Sequence, residues 1–313
     1  MLSPRKNNIL SVLYQLFVSV LHTACIYKER DKERMLHFSG FPEDVKANIG
    51  YVLTDIDDTL TNDGRLPSVV FTAMEDLKEA GIRIVPVTGR PAGWCDHMAR
   101  MWPIDGLVGE NGAFYFAYDR TRKKMVRRYW KPEKGRRSDR KKLDKIKEEI
   151  LKQIPGCAVA ADQAYREADL AIDYCEDVPP LSMQEAEEIV KCFMKSGARA
   201  KISSIHVNGW FGDYDKLAMT RLLFEEVFNE SLESVKDRVI FTGDSPNDAP
   251  MFGYFPNSVG VANVMRFKGK MISEPAWVTE KEGGYGFAEM AETLLSRSSS
   301  KTPSEASKPA RPL

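Results

Sequence analysis

Cysteine is sparse in this sequence, with five among 313 residues and no Cys-x-x-Cys pair. An odd number of thiols without that spacing argues against a disulfide framework and against a zinc site, and it fits a reducing compartment. Net charge is missing too: 45 basic residues balance 45 acidic ones, so no overall field draws the chain to nucleic acid. Long apolar runs are few. The one of note, residues 9–27, follows Arg5 and Lys6, is interrupted by Gln15 and His22, and barely reaches spanning length. It reads as a flexible extension ahead of a start at Met35, as an amphipathic anchor, or as an export signal. The expectation is a cytoplasmic protein with no membrane partner; the alternative is membrane association or export through residues 9–27. Residues 296–313 are rich in Ser, Pro and Lys with almost no apolar residue, the composition of a disordered tail.

What the chain does have is polar residues at the ends of short apolar runs. Residues 49–54 suit a buried strand of a parallel sheet and end at Asp55-Ile56-Asp57-Asp58-Thr59. Residues 82–87 deliver Thr88-Gly89-Arg90 in the same way, and residues 239–242 deliver Gly243-Asp244-Ser245-Pro246-Asn247-Asp248. In open α/β sheets ligands bind beyond the carboxyl ends of the strands, so these segments converge if the strands are parallel neighbours. Glu110-Asn111-Gly112 and Lys216 complete the set. Taken singly each has a plainer reading: a solvated turn, a hairpin turn for Asn-Gly, a surface lysine opening a helix. A calcium loop fails on spacing, because Thr59, Leu60 and Leu66 stand at the fifth, sixth and twelfth places with Asp55 as the first.

Together the segments fit phosphoryl transfer through an aspartate nucleophile. A phosphate ester dianion repels a carboxylate, at about 4 Å by roughly 4 kcal/mol per unit-charge pair for an effective dielectric near 20. A hard cation with oxygen ligands removes that barrier, and Mg²⁺ suits a site of a few carboxylates and phosphate oxygens. Asp55 and Asp244 are the expected ligands, with the carbonyl of Asp57 as a third and Asp248 orienting a metal-bound water. Lys216 and the Thr88 hydroxyl are expected to hold the transferring oxygens. Asp55 would form an aspartyl-phosphate, while Asp57 protonates the leaving oxygen and then deprotonates water.

These residues carry a family resemblance. The chain resembles the haloacid dehalogenase superfamily in its phosphatase branch: Asp55-Ile-Asp57-Asp-Thr59 is similar to the first motif, Thr88 to the second, Lys216 to the third and Gly-Asp244-Ser-Pro-Asn247-Asp248 to the fourth. The resemblance implies Asp55 as nucleophile, Asp57 as general acid/base, and Mg²⁺ on Asp55, the Asp57 carbonyl and Asp244. It extends the phosphate-binding set to Gly89, Arg90, Asn111 and Asn247. Asp at position 57 points to ester hydrolysis within the superfamily. The Gly-Asp-x-x-Asn-Asp form, with Glu110-Asn111-Gly112-Ala113, is similar to the branch of sucrose-phosphate, trehalose-phosphate and mannosyl-phosphoglycerate phosphatases, which carries a large α/β cap. The implied partner is a small phosphorylated sugar or related metabolite. A phosphomutase or phosphotransferase, or a non-catalytic sugar-phosphate-binding protein, are the alternatives.

The expected fold is α/β, a Rossmann-like parallel sheet with an inserted α/β cap. Residues 1–47 form an N-terminal extension, 48–112 and 207–295 the catalytic core, 113–206 the cap and 296–313 the tail. A helix is expected over 66–80, a strand pair at 113–118 and 124–130, helices over 139–153 and 182–195, and strands near 157–161, 170–174 and 198–206. His206, Asn208 and Trp210 alternate and so share one strand face, which either covers substrate or packs in a core. Tyr165-Arg166-Glu167 either reads sugar hydroxyls or is a charged surface turn. Hinges are expected at Gly112 and at 209–212. Basic residues crowd positions 120–147 around Tyr129 and Trp130, a pattern that raises nucleic-acid binding. The balanced charge of the whole chain favours a solvated face instead, and no nucleic-acid partner is expected.

Overall fold

The computed structural model describes residues 35–296, so the expectations for residues 1–34 and 297–313 lie outside the described residues. Tyr51–Thr54 is buried at all four positions, as expected of an apolar run covered on both faces. It pairs in parallel with Arg83–Pro86 on one side and Val239–Gly243 on the other. Asn257–Gly260 and then Trp277–Val278 extend the sheet, again in parallel. The α/β class and the parallel central sheet are therefore as expected. Ser68–Glu79 buries Val70, Ala73, Met74 and Leu77, and Gly284 and Phe287 of Gly283–Leu295 lie inside as well. Among the described residues no helix is long and apolar enough to cross a membrane.

Two stretches expected outside this core contribute to it. Phe38 and Phe41 are buried in its hydrophobic cluster, and the Phe41 ring meets Trp277 edge-on at 5.2 Å. The strand pair Phe114–Asp119 and Lys124–Tyr129 also joins it, through Phe114, Phe116 and Met125. Val108 bridges Val87 in parallel, which carries the hairpin sheet on from the edge of the central one.

A second sheet is antiparallel throughout, in the order Ala158–Val159, Leu170–Asp173, His206–Trp210, Arg199–Ile202. Glu133–Gln153 and Met183–Lys195 cover one face, where Leu143, Ile146, Ile150, Ile189 and Phe193 meet Leu170, Ile172 and Val207 in a separate cluster. The first of these helices starts at 133 rather than 139, with Pro132 at its cap and Glu133 in its first turn. Many of its basic residues are paired, among them Arg136 with Glu167, Arg137 with Glu133 and Lys142 with Asp139.

The single strand expected over 198–206 is broken into a hairpin. The Ser203 hydroxyl donates to the His206 carbonyl at 3.0 Å and accepts the His206 N–H at 3.0 Å. Such short polar side chains offer the backbone a turn in place of a ladder. Gly209 and Gly112, read as hinges, are sites of close approach. A Cβ on Gly209 would lie 2.1 Å from the Phe193 ring, and one on Gly112, where φ is +105°, would lie 2.1 Å from the Asp215 carbonyl oxygen.

Candidate active site

The parallel register brings three strand tips together. Asp55 donates its N–H to the Thr242 carbonyl at 2.9 Å, Val87 donates to Thr54 at 2.7 Å, and Asp244 follows the strand ending at Gly243. Gly112 lets the backbone of Asp215 and Lys216 settle against the sheet edge. The Asp215 carboxylate caps the helix Lys216–Leu223 by accepting the Ala218 N–H at 2.8 Å. That start aims the Lys216 side chain inward, on a helix whose buried face is Met219, Thr220 and Leu223.

Lys216 Nζ lies 3.0 Å from Asp55 Oδ1 and 2.8 Å from Asp248 Oδ1. Asp248 Oδ2 accepts the Asp244 N–H at 3.2 Å. Asp244 itself receives the Thr59 hydroxyl at 3.2 Å and the Asn263 amide at 3.4 Å, and it has no ion-pair partner among the described residues. Ligand oxygens of Asp55, Asp244 and Asp248 lie within 4.8 Å of one another, and all three residues are buried. One ammonium faces three carboxylates. Burial drives the Asp55 carboxyl up to about 7, Lys216 opposes this, and Asp248 and Asp57 add to it. Burial, with the charges of Asp248, Asp55 and Asp58, raises Asp244 well above the usual range. Burial alone would lower the Lys216 pKa, but Asp248 and Asp55 overcome it and raise it.

Of the other expected site residues, Asp57, Gly89, Arg90 and Asn247 line one crevice with Asp55. Thr88 and Asn111 sit behind that surface. The Thr88 hydroxyl accepts the Arg90 N–H at 3.0 Å, and the Asn111 N–H donates to the Thr88 carbonyl at 3.0 Å. The Asp57 carboxylate lies outside the acidic cluster. Arg90 Nε donates to both its oxygens at 2.9 and 3.0 Å, and Nη2 donates to Oδ1 at 2.7 Å. Arg90 is therefore committed to acids in this structure: Glu176 lies 3.1 Å and Asp162 3.6 Å from its guanidinium.

The second sheet and its connecting loops form the opposite wall, through Ser203, Ser204, His206, Asn208 and Arg166. Of the three alternating residues, His206 and Asn208 face the crevice, whereas Trp210 packs on Tyr214 with ring centroids 5.8 Å apart. His206 Nε2 lies 2.8 Å from Glu176 Oε2, within ion-pair distance but not aligned as a hydrogen bond. His206 and Arg90 hold the Glu176 carboxyl down at about 2. Asp58, at φ 56°, is raised by burial, and a hydrogen bond from Ser204 opposes the shift.

Glu110 has a part that its motif did not disclose. Its Oε1 accepts the N–H groups of Ala92 and Glu167 at 3.0 and 2.8 Å, and its Oε2 those of Ala168 and Asp169 at 2.7 and 3.1 Å. Arg166, 7% exposed, pairs with Asp162 and Asp169 and donates to the Gly89 carbonyl at 2.9 Å, so it is a strut rather than a surface turn. Burial and the Asp169 charge push the Glu110 carboxyl up to about 7, against Arg166 and the backbone donors. Because each oxygen takes two N–H groups, Glu110→Gln sets an amide NH₂ against two donors. The substitution should destabilise the protein by about 2–4 kcal/mol, measured by urea unfolding; a change under about 0.5 kcal/mol would deny the strut its role.

Residues 52–137 match the model of the haloacid dehalogenase-like hydrolases. Over that stretch the chain is similar to this family. Its fold is shared with a Thermoplasma acidophilum protein at 17% identity, over 79% of this chain and 98% of that one, with a TM-score of 0.59. A HAD/COF-like hydrolase from Plasmodium vivax is similar at 17% identity, 80% and 98% coverage and a TM-score of 0.56. The sucrose-phosphatase of Synechocystis, solved with sucrose and phosphate, is similar at 13% identity, 79% and 98% coverage and a TM-score of 0.55. No curated protein matches the sequence.

Proposed function

We propose that this protein is a Mg²⁺-dependent phosphomonoesterase that releases phosphate from a small phosphorylated sugar or related metabolite through an aspartyl-phosphate on Asp55. The observation that carries the reading is the burial of Asp55 at a central strand tip, hydrogen-bonded to Lys216 and grouped with Asp244 and Asp248. The likeness to a sucrose-phosphatase supports the substrate class.

The donor set fits a hard divalent cation: of three buried carboxylates, Asp55 and Asp248 share one ammonium, and Asp244 has only neutral hydrogen-bond partners among the described residues. Asp55 and Asp244 would hold it with the Asp57 carbonyl, which accepts no hydrogen bond among the described residues. Asp248, bonded to Lys216 and to the Asp244 N–H, steadies both from behind. When bound, Mg²⁺ supplies the positive charge that lets a phosphate dianion approach a carboxylate. Lys216 keeps Asp55 aligned and shares the transferring oxygens' charge. Asp57 serves as acid and then base, so its side chain has to leave Arg90, which Glu176 and Asp162 hold from the other side. The second sheet acts as a cap over the crevice. Closure keeps bulk water from the phosphorylated Asp55.

The test is phosphate release from a panel of sugar phosphates, nucleotides and phosphoglycerates, with Mg²⁺ and after chelation. Release without any sugar acceptor favours hydrolysis over a phosphomutase; Mg²⁺-independent turnover contradicts the site. A linked expectation concerns pH. Asp55 titrates near 7 when folded against an ordinary 3.8, so the folded state binds this proton more tightly than the unfolded one. The site's contribution to metal-free stability is thus greatest below 3.8 and declines as pH rises towards 7. Mg²⁺ should raise the melting temperature more at about pH 8 than at about pH 5. Thermal unfolding with Mg²⁺ and with chelator measures this, and an equal gain at both values would count against the ligand set.

A further inference from the structure

The polar face of the second sheet carries a cation, Lys201, with no ion-pair partner among the described residues. Lys201 stands directly across from Asn208 in the antiparallel register, so the two side chains leave the same face. Asn208 lines the crevice beside Asp55 and Asp57. Lys201 is half-buried and makes no hydrogen bond or ion pair among the described residues. The charged groups that act on it are Lys216, Asp215, Asp248 and Arg199. Each of these is engaged elsewhere. Asp248 is bonded to Lys216, the Asp215 carboxylate caps its helix, and Arg199 pairs with Asp213. Desolvation, with Lys216 next, lowers the Lys201 pKa against the opposing pull of Asp215 and Asp248. A lysine partly withdrawn from water without a counter-charge is costly unless an anion visits, and solvent is the usual refuge of such a head group.

We infer that Lys201 is a specificity residue that receives an anionic group on the leaving alcohol, so that the substrate is a phosphomonoester carrying a carboxylate or a second phosphate. The inference rests on the crevice being the substrate site proposed above. The reacting phosphoryl group lies with Asp55 and Lys216, and the second anion reaches Lys201 on the facing sheet. A neutral polyol phosphate leaves this ammonium unpaired.

Binding in the Asp55→Asn background separates this inference from the hydrolase reading, because no turnover is needed. Calorimetric affinities for phosphoglycerate, glycerol bisphosphate and glycerol phosphate are compared with and without Lys201→Met, in the presence of Mg²⁺. The preference for an anionic ester over glycerol phosphate should fall roughly ten- to hundredfold on Lys201→Met and return with Lys201→Arg. Loss on phosphoglycerate identifies a carboxylate, and loss on the bisphosphate a second phosphate. Equal weakening of all three esters, no preference before substitution, or no measurable binding of either anionic ester overturns the inference. An intact preference in a wild-type protein that releases no phosphate would overturn the hydrolase reading alone.

Discussion

Asp55→Asn is expected to reduce turnover by at least about 10⁴-fold, since an amide cannot attack phosphorus as a carboxylate does. The fold should survive, for a reason the charge balance supplies. Asp55 is one of three buried carboxylates around one ammonium, and its folded pKa of about 7 shows that ionising it there is unfavourable. Asparagine keeps the shape and an oxygen to accept from Lys216 while removing one negative charge. The metal-free variant should therefore melt no lower than the wild type at neutral pH. A residue with only a structural role predicts the reverse pairing, lost stability with proportionate loss of activity. Phosphate release and thermal unfolding on the same preparation decide it, and residual activity above a few per cent would remove Asp55 from the nucleophile's place.

The strand tips were legible because each is prepared locally: an apolar run of strand length, a polar residue, then a turn. Tyr51–Thr54, Arg83–Pro86 and Val239–Gly243 are found where the runs lie, and their parallel register brings Asp55 and Asp244 together. Partnerships across the crevice were not legible. The pairing of Arg90 with Asp57, Glu176 and Asp162 joins positions 57, 90, 162 and 176, and nothing near any of them encodes it. Glu110 was visible as part of a motif, yet three of the four backbone N–H groups it accepts come from where the segment 167–169 comes to rest, and the fourth from Ala92. Phe38 and Phe41 were missed because so short a segment shows no period; they are held by stacking on each other at 4.8 Å and by Trp277, far along the chain. The turn at 203–205 hid inside an apparently continuous strand. Its signal was the Ser203-Ser204 pair, of which the Ser203 hydroxyl competes with the ladder.

Lys216→Met should have the second large effect, on activity and stability together. The ammonium is 4% exposed and holds Asp55 and Asp248, so its loss leaves three buried carboxylates with no cation among them. Removing one partner of a buried ion pair costs about 3–5 kcal/mol, because the other charge stays desolvated and unpaired. Activity should fall about 10³-fold, the scale for losing one preorganised group that stabilises developing charge. The sign of the pH dependence distinguishes this from ordinary loss of packing. Without Lys216 the folded-state Asp55 pKa rises further above the ordinary 3.8, so the instability grows as pH climbs and fades below that value. Mg²⁺ should restore much of the stability at neutral pH by supplying positive charge to the same cluster, yet not the activity, since a cation on Asp55 and Asp244 cannot stand where the ammonium meets Asp55 and Asp248. Denaturant unfolding at acidic and neutral pH, with Mg²⁺ and with chelator, reads all of these terms. Should the variant lose equal stability at both pH values, the methylene packing of Lys216 rather than its charge would be what the fold requires.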